Sequence, residues 1–225
     1  MDAKAGAAKA ALRFIRPRTT VGLGTGSTAS AFIRLLAAKN KQKNLRLTCV
    51  ATSKASEKLA ESLGLKVVGL DAVHAIDVAV DGADLVDRRL NLVKGGGGAH
   101  AREKVVDYAA EKFVVIVDES KLCGTLSGAV PLEILPFAFP LVKRGVEKEF
   151  GTKVVMRAIH GKPALSDNGN VLADALFGKV RRPADLEAKL DSVPGVVANG
   201  LFTKNVFRVI VGRRGGAVAL KGGGS

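Results

Sequence analysis

The chain has 225 residues, 47% hydrophobic, 25% charged and 4% aromatic with no Trp, which excludes a disordered chain and leaves Ala, Val, Leu and Ile, the side chains of buried parallel strands, to build the core. No window approaches the roughly 18 to 20 uncharged apolar residues of a membrane span, and Met1-Asp2-Ala3-Lys4 leads into no signal-peptide core, so a cytoplasmic chain with no membrane partner is expected. The formal net charge of +14 attracts anions of every size, from a small phosphate to a nucleic acid.

Taken in chain order, the Ala-rich stretch from Asp2 to Ile15 predicts a helix that stops before Pro17, and Thr19 to Leu23 a strand. Thr28 to Lys39, with Ala31, Phe32, Leu35 and Leu36 at spacings of three and four, predicts a helix, and Leu45 to Ala51 the next strand. The alternation continues through a helix from Lys54 to Leu63 ended by Gly64, strands from Lys66 to Leu70 and Ile76 to Val80, a helix over Ala99 to Ala110 and a strand from Phe113 to Val117. Strands alternating with helices in this way predict the α/β class, a doubly wound, mostly parallel, Rossmann-like sheet.

The texture changes after Pro131, where Pro131, Pro136 and Pro140 punctuate short apolar runs and Leu141 to Phe150 reads as a helix. Strands are expected over Lys153 to Ile159 and Val171 to Leu176, flanking the hairpin signal Asp167-Asn168-Gly169-Asn170, and Pro183-Ala184-Asp185-Leu186 opens another helix. Residues 130–205 are therefore expected to form a second, smaller α+β domain. Residues 1–129 with 206–225 are expected to form the sheet domain, to which Val206 to Val211 and Ala217 to Leu220 return around the Arg213-Arg214-Gly215-Gly216 turn. Gly222-Gly223-Gly224-Ser225 reads as a flexible tail.

Four stretches carry chemistry. In Gly24-Thr25-Gly26-Ser27-Thr28 a strand runs into glycines and then a helix, so backbone amides, the helix N-terminus and three hydroxyls face whatever sits there; a phosphate or carboxylate fits, with a plain turn as the alternative. The loop has no Gly-Lys-Ser/Thr, and Ser27 stands where a dinucleotide fingerprint needs Gly. Asp81-Gly82-Ala83-Asp84 follows a parallel strand, where carboxylates meet ligands such as sugar hydroxyls or else cap a turn. Lys94-Gly95-Gly96-Gly97-Gly98 runs into a helix bearing Glu103, a general-base candidate or an ordinary first-turn acid, and the glycine amides suit a developing oxyanion. Lys121, after the strand ending at Val117, supplies a point charge for a phosphate or is a surface lysine. His100 reads as packed or solvated. Cys49 and Cys123 read as reduced thiols, and no His, Cys or acid spacing matches a metal site.

Residues 1–48 hold ten Lys or Arg against Asp2 alone, spread over two candidate helices that no aromatic stacking platform interleaves. That is a solvated basic face rather than a nucleic-acid interface, so no nucleic-acid partner is expected.

Together these stretches resemble the A-type ribose-5-phosphate isomerases. The resemblance runs through Gly24-Thr25-Gly26-Ser27-Thr28, Thr52-Ser53, Asp81-Gly82-Ala83-Asp84, Lys94-Gly95-Gly96-Gly97, Arg102-Glu103-Lys104, Ser120-Lys121, Asp167-Asn168-Gly169-Asn170 and Pro194-Gly195-Val196-Val197. Leu85 stands where members usually carry an acid. The resemblance implies interconversion of D-ribose 5-phosphate and D-ribulose 5-phosphate through an enediolate, with no metal or organic cofactor. It further implies Glu103 as base, Asp81, Asp84 and Lys94 as its catalytic companions, and Thr25, Gly26, Ser27, Thr28, Gly82, Ala83, Gly95, Gly96, Gly97 and Lys121 as substrate-binding residues. A homodimer, or a tetramer built from it, belongs to the same expectation. A ligand-sensing domain that binds without turnover and a basic nucleic-acid-binding protein are the competing classes; Glu103 argues against the first, and the second would leave Asp81, Asp84 and the Lys94 loop unexplained.

Overall fold

Small side chains decide the first element of the computed structural model, which describes residues 2–220. Helix α1 (Ala3–Ala11) buries Gly6, Ala7, Ala8 and Ala11, so it lies close against its neighbours, and it ends in a 3-10 turn, Leu12–Phe14, ahead of Pro17. Strand β1 (Thr20–Leu23), helix α2 (Ser27–Lys43), β2 (Thr48–Ala51), α3 (Lys54–Ser62), β3 (Lys66–Val67) and β4 (Val78–Asp81) follow. Next come β5 (Leu85–Val86), β6 (Leu92–Val93), α4 (His100–Ala109), β7 (Phe113–Asp118), β8 (Ser127–Ile134) and α5 (Phe139–Phe150). The remaining elements are β9 (Val154–Met156), β10 (Ala158–Ile159), β11 (Lys162–Pro163), β12 (Val171–Lys179), α6 (Pro183–Asp191), β13 (Val196–Asn199), β14 (Leu201–Phe202), β15 (Val206–Arg213) and β16 (Gly216–Leu220). The tail expected at residues 222–225 lies outside the described residues.

The chain divides into two compact units, one comprising the residues up to Ala83, Arg102–Leu122 and the chain from Lys204 on, the other Asp84–Ala101 and Cys123–Thr203. In the first, seven strands run in the order β16-β15-β7-β4-β1-β2-β3, parallel except for the antiparallel β16. Phe32, Ile33 and Leu36 of α2, Ala60 of α3 and the alanines of α1 pack with Val21, Leu23, Val78, Val80, Val114 and Ile116 on one face. On the opposite face Val106 of α4 lies against Gly22 and Ala79. Helices on both faces make the sheet doubly wound, as the alternation of elements predicts. From β1 the chain winds out to β2 and β3 and then returns to β4 on the other side of β1, so the carboxyl ends of β1 and β4 border the switch point at which ligands of such sheets bind.

The second unit is an antiparallel sheet of order β13-β8-β12-β9 beside a three-stranded one of order β14-β6-β5 and the ribbon β10-β11. Val130, Leu132 and Ile134 of β8 and Ala173 and Ala175 of β12 form its core with Val142 and Val146 of α5 and Leu190 of α6. Pro131, read from sequence as punctuation, sits inside the inner strand β8. Its missing N–H costs no ladder bond because pairing with β13 ends at Asn199 opposite Leu132. Residues 84–101 and 123–129 group with this unit rather than with the sheet domain expected to hold them. The reason is that β5 and β6 join β14, and β8 starts at Ser127 against Lys179. The strand expected over Lys153 to Ile159 breaks at Arg157, beyond which Ala158 and Ile159 turn back onto Lys162 and Pro163.

Both cysteines are free thiols. Cys49, on β2, has no exposed surface, and burial pushes its thiol up to about 12, because ionising it would leave a charge in an apolar core. An unfolded chain ionises this thiol from about pH 8.5 upward. Over that alkaline window the unfolded state holds fewer protons than the native one, and stability falls as pH rises. At pH 8 Ellman's reagent is expected to leave Cys49 unmodified in the native protein and to titrate both thiols after denaturation. Two rapidly reacting thiols in the native state would contradict this placement.

Candidate active site

The carboxyl edge of the parallel sheet is built around Asp81, the last residue of β4, whose side chain has no exposed surface. Its Oδ1 accepts the backbone N–H of Thr25 at 2.9 Å and that of Gly82 at 2.6 Å. The Gly24 N–H reaches the Val80 carbonyl at 3.0 Å, so the loop after β1 is laced to the end of β4. Position 24 has to be glycine, since a Cβ there would occupy the Asp81 carboxyl group.

Hydroxyls fix the same loop from the other side. Thr25 Oγ1 lies 2.8 Å from Thr52 Oγ1 and donates to Ser53 Oγ at 2.8 Å, and Ser56 Oγ donates to the Gly24 carbonyl at 2.6 Å. Ser53 is the N-cap of α3, accepting the Ser56 N–H at 3.1 Å. Helix α2, by contrast, starts from Gly26 with no side-chain cap, so its first amides and the positive end of its dipole are open at the exposed Gly26 and Ser27, with Thr28 buried behind them, and an anion is stabilised there. The Lys4 ammonium donates to Ser27 Oγ at 3.0 Å, bringing a charge that no sequence motif marks.

Lys121 ends the 3-10 turn Glu119–Lys121 just after β7. Asp118, which caps that turn, is held below the usual carboxylate range, first by hydrogen bonding from Ser120 and then by the Lys121 and Lys4 charges. Two ammonium groups, from α1 and from the segment after β7, thus act on one carboxylate at this edge.

Glu103 lies in the first turn of α4 and is 5% exposed. The end of that helix region, Ala110, bridges Ile76 ahead of β4, so α4 runs antiparallel to the strands and begins at their carboxyl edge. Val106, one turn after Glu103 on the same stripe, packs on Gly22 and Ala79. Glu103 therefore stands one turn further toward the edge, beyond the ends of β1 and β4 where Asp81 lies. The first unit holds Thr25, Gly26, Ser27, Thr28, Asp81, Gly82, Glu103 and Lys121, at or after the ends of β1, β4 and β7 and at the start of α4, and Ala83 closes its segment.

In the second unit, Lys94 is 2% exposed, its backbone N–H donates to the Gly200 carbonyl at 2.8 Å and its ammonium lies 5.4 Å from the centre of the Phe202 ring. Asp84 is tied in through its N–H to the Val93 carbonyl at 2.8 Å, and its Oδ2 accepts the Gly96 N–H at 2.8 Å. Gly95 has φ +105°, and a Cβ there would run into the His100 ring and Pro131. His100 has no exposed surface, so of the two sequence readings, packed or solvated, it is packed. Gly96 and Gly97 are exposed. Arg157, absent from every sequence motif, donates from Nη1 to the carbonyls of Gly95 at 2.8 Å and Gly96 at 3.2 Å.

A family model described as ribose 5-phosphate isomerase A (phosphoriboisomerase A) matches residues 48–216. Ribose-5-phosphate isomerase A of Methanothermobacter thermautotrophicus is 45% identical over 98% of this chain and 98% of its own. The structure of ribose 5-phosphate isomerase A from Methanocaldococcus jannaschii superposes with a TM-score of 0.93 at 40% identity, covering 98% of each chain. A D-ribose-5-phosphate isomerase solved in complex with phospho-erythronic acid gives a TM-score of 0.94 at 41% identity, over 98% of this chain and all of that one.

The Gly24 contact is testable without reference to activity. Gly24→Ala is expected to lower stability by about 1–3 kcal/mol, because the methyl group displaces the Asp81 carboxyl and with it the Thr25 bond. Thermal unfolding measures this, and an unchanged midpoint would mean that the loop and Asp81 are not in contact.

Proposed function

The chain belongs to the ribose 5-phosphate isomerase A family and interconverts D-ribose 5-phosphate and D-ribulose 5-phosphate, and from that premise we propose how its residues divide the work. The observation that carries the assignment is the buried pair of carboxylates, Asp81 and Glu103, at the switch-point edge of the parallel sheet, beside an uncapped helix N-terminus. A sugar phosphate needs both: an anion site at one end and a base at the other.

In the open-chain aldose the hydrogen on C2 is acidified only by the neighbouring C1 carbonyl, so its removal needs a positioned base and stabilisation of the negative charge that moves onto oxygen. Glu103 takes that proton and returns it to C1. The hydroxyl proton on O2 passes to O1, which leaves a ketone at C2 and an alcohol at C1. The exchange is redox-neutral, so no redox cofactor is called for. Lys94 and the amides of Gly95, Gly96 and Gly97 stabilise the enediolate oxygens. Asp81 and Asp84 bind hydroxyls and assist opening of the furanose ring, with the backbone at Gly82 and Ala83 lining the same loop.

The phosphate is assigned to the amides and hydroxyls of Thr25, Gly26, Ser27 and Thr28, with Lys121 and Lys4 as its cations. The hydrogen bond from Lys4 to Ser27 supports adding Lys4 to the residues read from sequence. Binding energy at this remote group orients the reacting end. The proposal extends to a cytoplasmic homodimer, for which the exposed Phe137 and Leu141 offer apolar surface to a second copy.

Glu103→Gln keeps the shape of the side chain and removes its proton acceptance, so kcat is expected to fall about 100-fold or more with the Michaelis constant little changed. A coupled assay of ribose 5-phosphate turnover measures it, and near-normal kcat would remove Glu103 from the role of base.

Lys121→Ala and Lys4→Ala are each expected to raise the Michaelis constant for ribose 5-phosphate, with the double variant worse than either. Ribose without its phosphate should be a very poor substrate for the unaltered enzyme. Equal turnover of ribose and ribose 5-phosphate would overturn the phosphate assignment.

A further inference from the structure

The four-glycine loop in the second unit is held by a side chain that the reaction scheme above does not use. Arg157 follows β9 and keeps register with β12 through its backbone N–H to the Leu172 carbonyl at 2.8 Å. Its guanidinium is a two-sided fork. Nε and Nη2 donate to the two oxygens of Asp174 on β12, at 2.8 and 2.6 Å, while Nη1 donates to the carbonyls of Gly95 at 2.8 Å and Gly96 at 3.2 Å. The Arg157 side chain is 20% exposed and that of Asp174 25% exposed. The carboxylate therefore fixes the plane of a partly desolvated cation, and the cation fixes two successive peptide planes.

In a trans peptide the C=O and the N–H of one plane point in opposite directions, and the described chain has no cis peptide bond. Drawing the Gly95 and Gly96 carbonyls onto Arg157 turns the N–H groups of Gly96 and Gly97 the other way. The Gly96 N–H meets Asp84 Oδ2 at 2.8 Å, on the side away from Arg157, which is the outcome this geometry requires. The Gly97 N–H belongs to the next plane and shares that direction, and Gly97 is exposed, with open space where a Cβ would stand. A cation bonded to a carbonyl also polarises its peptide, so each N–H becomes a stronger donor.

Glycine has the widest backbone freedom of any residue. The loop's own turn bond, from the Gly98 N–H to the Gly95 carbonyl at 3.0 Å, fixes one carbonyl, and holding the Gly96 and Gly97 amides in one direction takes a group outside the loop that binds both carbonyls. We propose that Arg157, oriented by Asp174, is a positioning residue of the isomerase: it aims and polarises the Gly96 and Gly97 amides, one at Asp84 and the other at the negative oxygen that develops on the substrate. Arg157 touches neither substrate nor base and acts only through the loop. The inference rests on the proposed role of the glycine amides in stabilising the enediolate.

The test compares the unaltered enzyme with Arg157→Ala, Arg157→Lys and Asp174→Asn, measuring kcat, the Michaelis constant, exchange of the C2 hydrogen with solvent and the unfolding midpoint. Arg157→Ala should lower kcat and the C2 exchange rate together by about 10- to 100-fold, the scale of a displaced oxyanion donor, with the Michaelis constant within about threefold. Arg157→Lys keeps the charge but cannot hold Asp174 and two carbonyls at once, so it should recover only part of the loss. Guanidinium chloride at non-denaturing concentration should raise kcat of Arg157→Ala and leave the unaltered enzyme unchanged, a rescue that a purely structural role would not give. Asp174→Asn should show a smaller loss in the same direction, and it carries the test if Arg157→Ala does not fold. A folded Arg157→Ala or Asp174→Asn with unaltered kcat and C2 exchange overturns the proposal. So does a loss in Arg157→Ala that Arg157→Lys fully restores, since charge alone would then suffice. If the unaltered enzyme fails to turn over ribose 5-phosphate, the functional reading falls first and this inference falls with it.

Discussion

A carboxylate without exposed surface must be met by donors at close range, because taking a charge out of water costs far more than any single contact returns. Asp81 meets that condition at Oδ1 with backbone, accepting the amides of Thr25 and Gly82 on that one oxygen. Much of the edge follows from it. The loop after β1 has to come within reach of the end of β4, which demands glycine at position 24, and once there it is held by Thr52, Ser53 and Ser56. The same loop delivers the start of α2 without a side-chain cap, so one constraint on a carboxylate also creates the anion site.

The second unit solves a similar problem with different means. Its loop is laced to a strand junction only at its start, where the Lys94 N–H meets the Gly200 carbonyl, and its glycines leave the backbone beyond that point with little preference of its own. Arg157 and Asp84 hold it from opposite sides, one on carbonyls and one on an amide. In both units a charged side chain orders a glycine-rich backbone, and in both the backbone amides are the groups proposed to face the substrate.

The large positive charge acquires a partial physical account. Most of the basic residues in the first 48 positions lie on exposed or half-buried helix surface, where they act collectively as a field that draws anions toward the protein. Lys4 is different, because α1 carries it to Ser27 and within range of Asp118. One residue of a diffuse basic face thereby becomes part of a defined anion site.

What the sequence by itself determined were features written in neighbouring residues: the helical stripe of α2, the Gly64 stop after α3, the Pro-led start of α6, the β-α alternation, and the glycine loops whose order carries the family resemblance. Periodicity and capping are local, so a short window contains all the information they need. Glu103 and Asp81 were legible for the same reason, each standing at a strand end or helix start. Only the tertiary structure decided that β5 and β6, two residues each, join β14 from far along the chain, since strands so short have no period to detect. It also decided that Pro131 lies within β8, where the neighbouring ladder has already ended, that Lys4 reaches Ser27, and that Arg157 holds the loop at Gly95 and Gly96. Those pairings depend on partners remote in sequence, which only folding brings within a hydrogen-bond length.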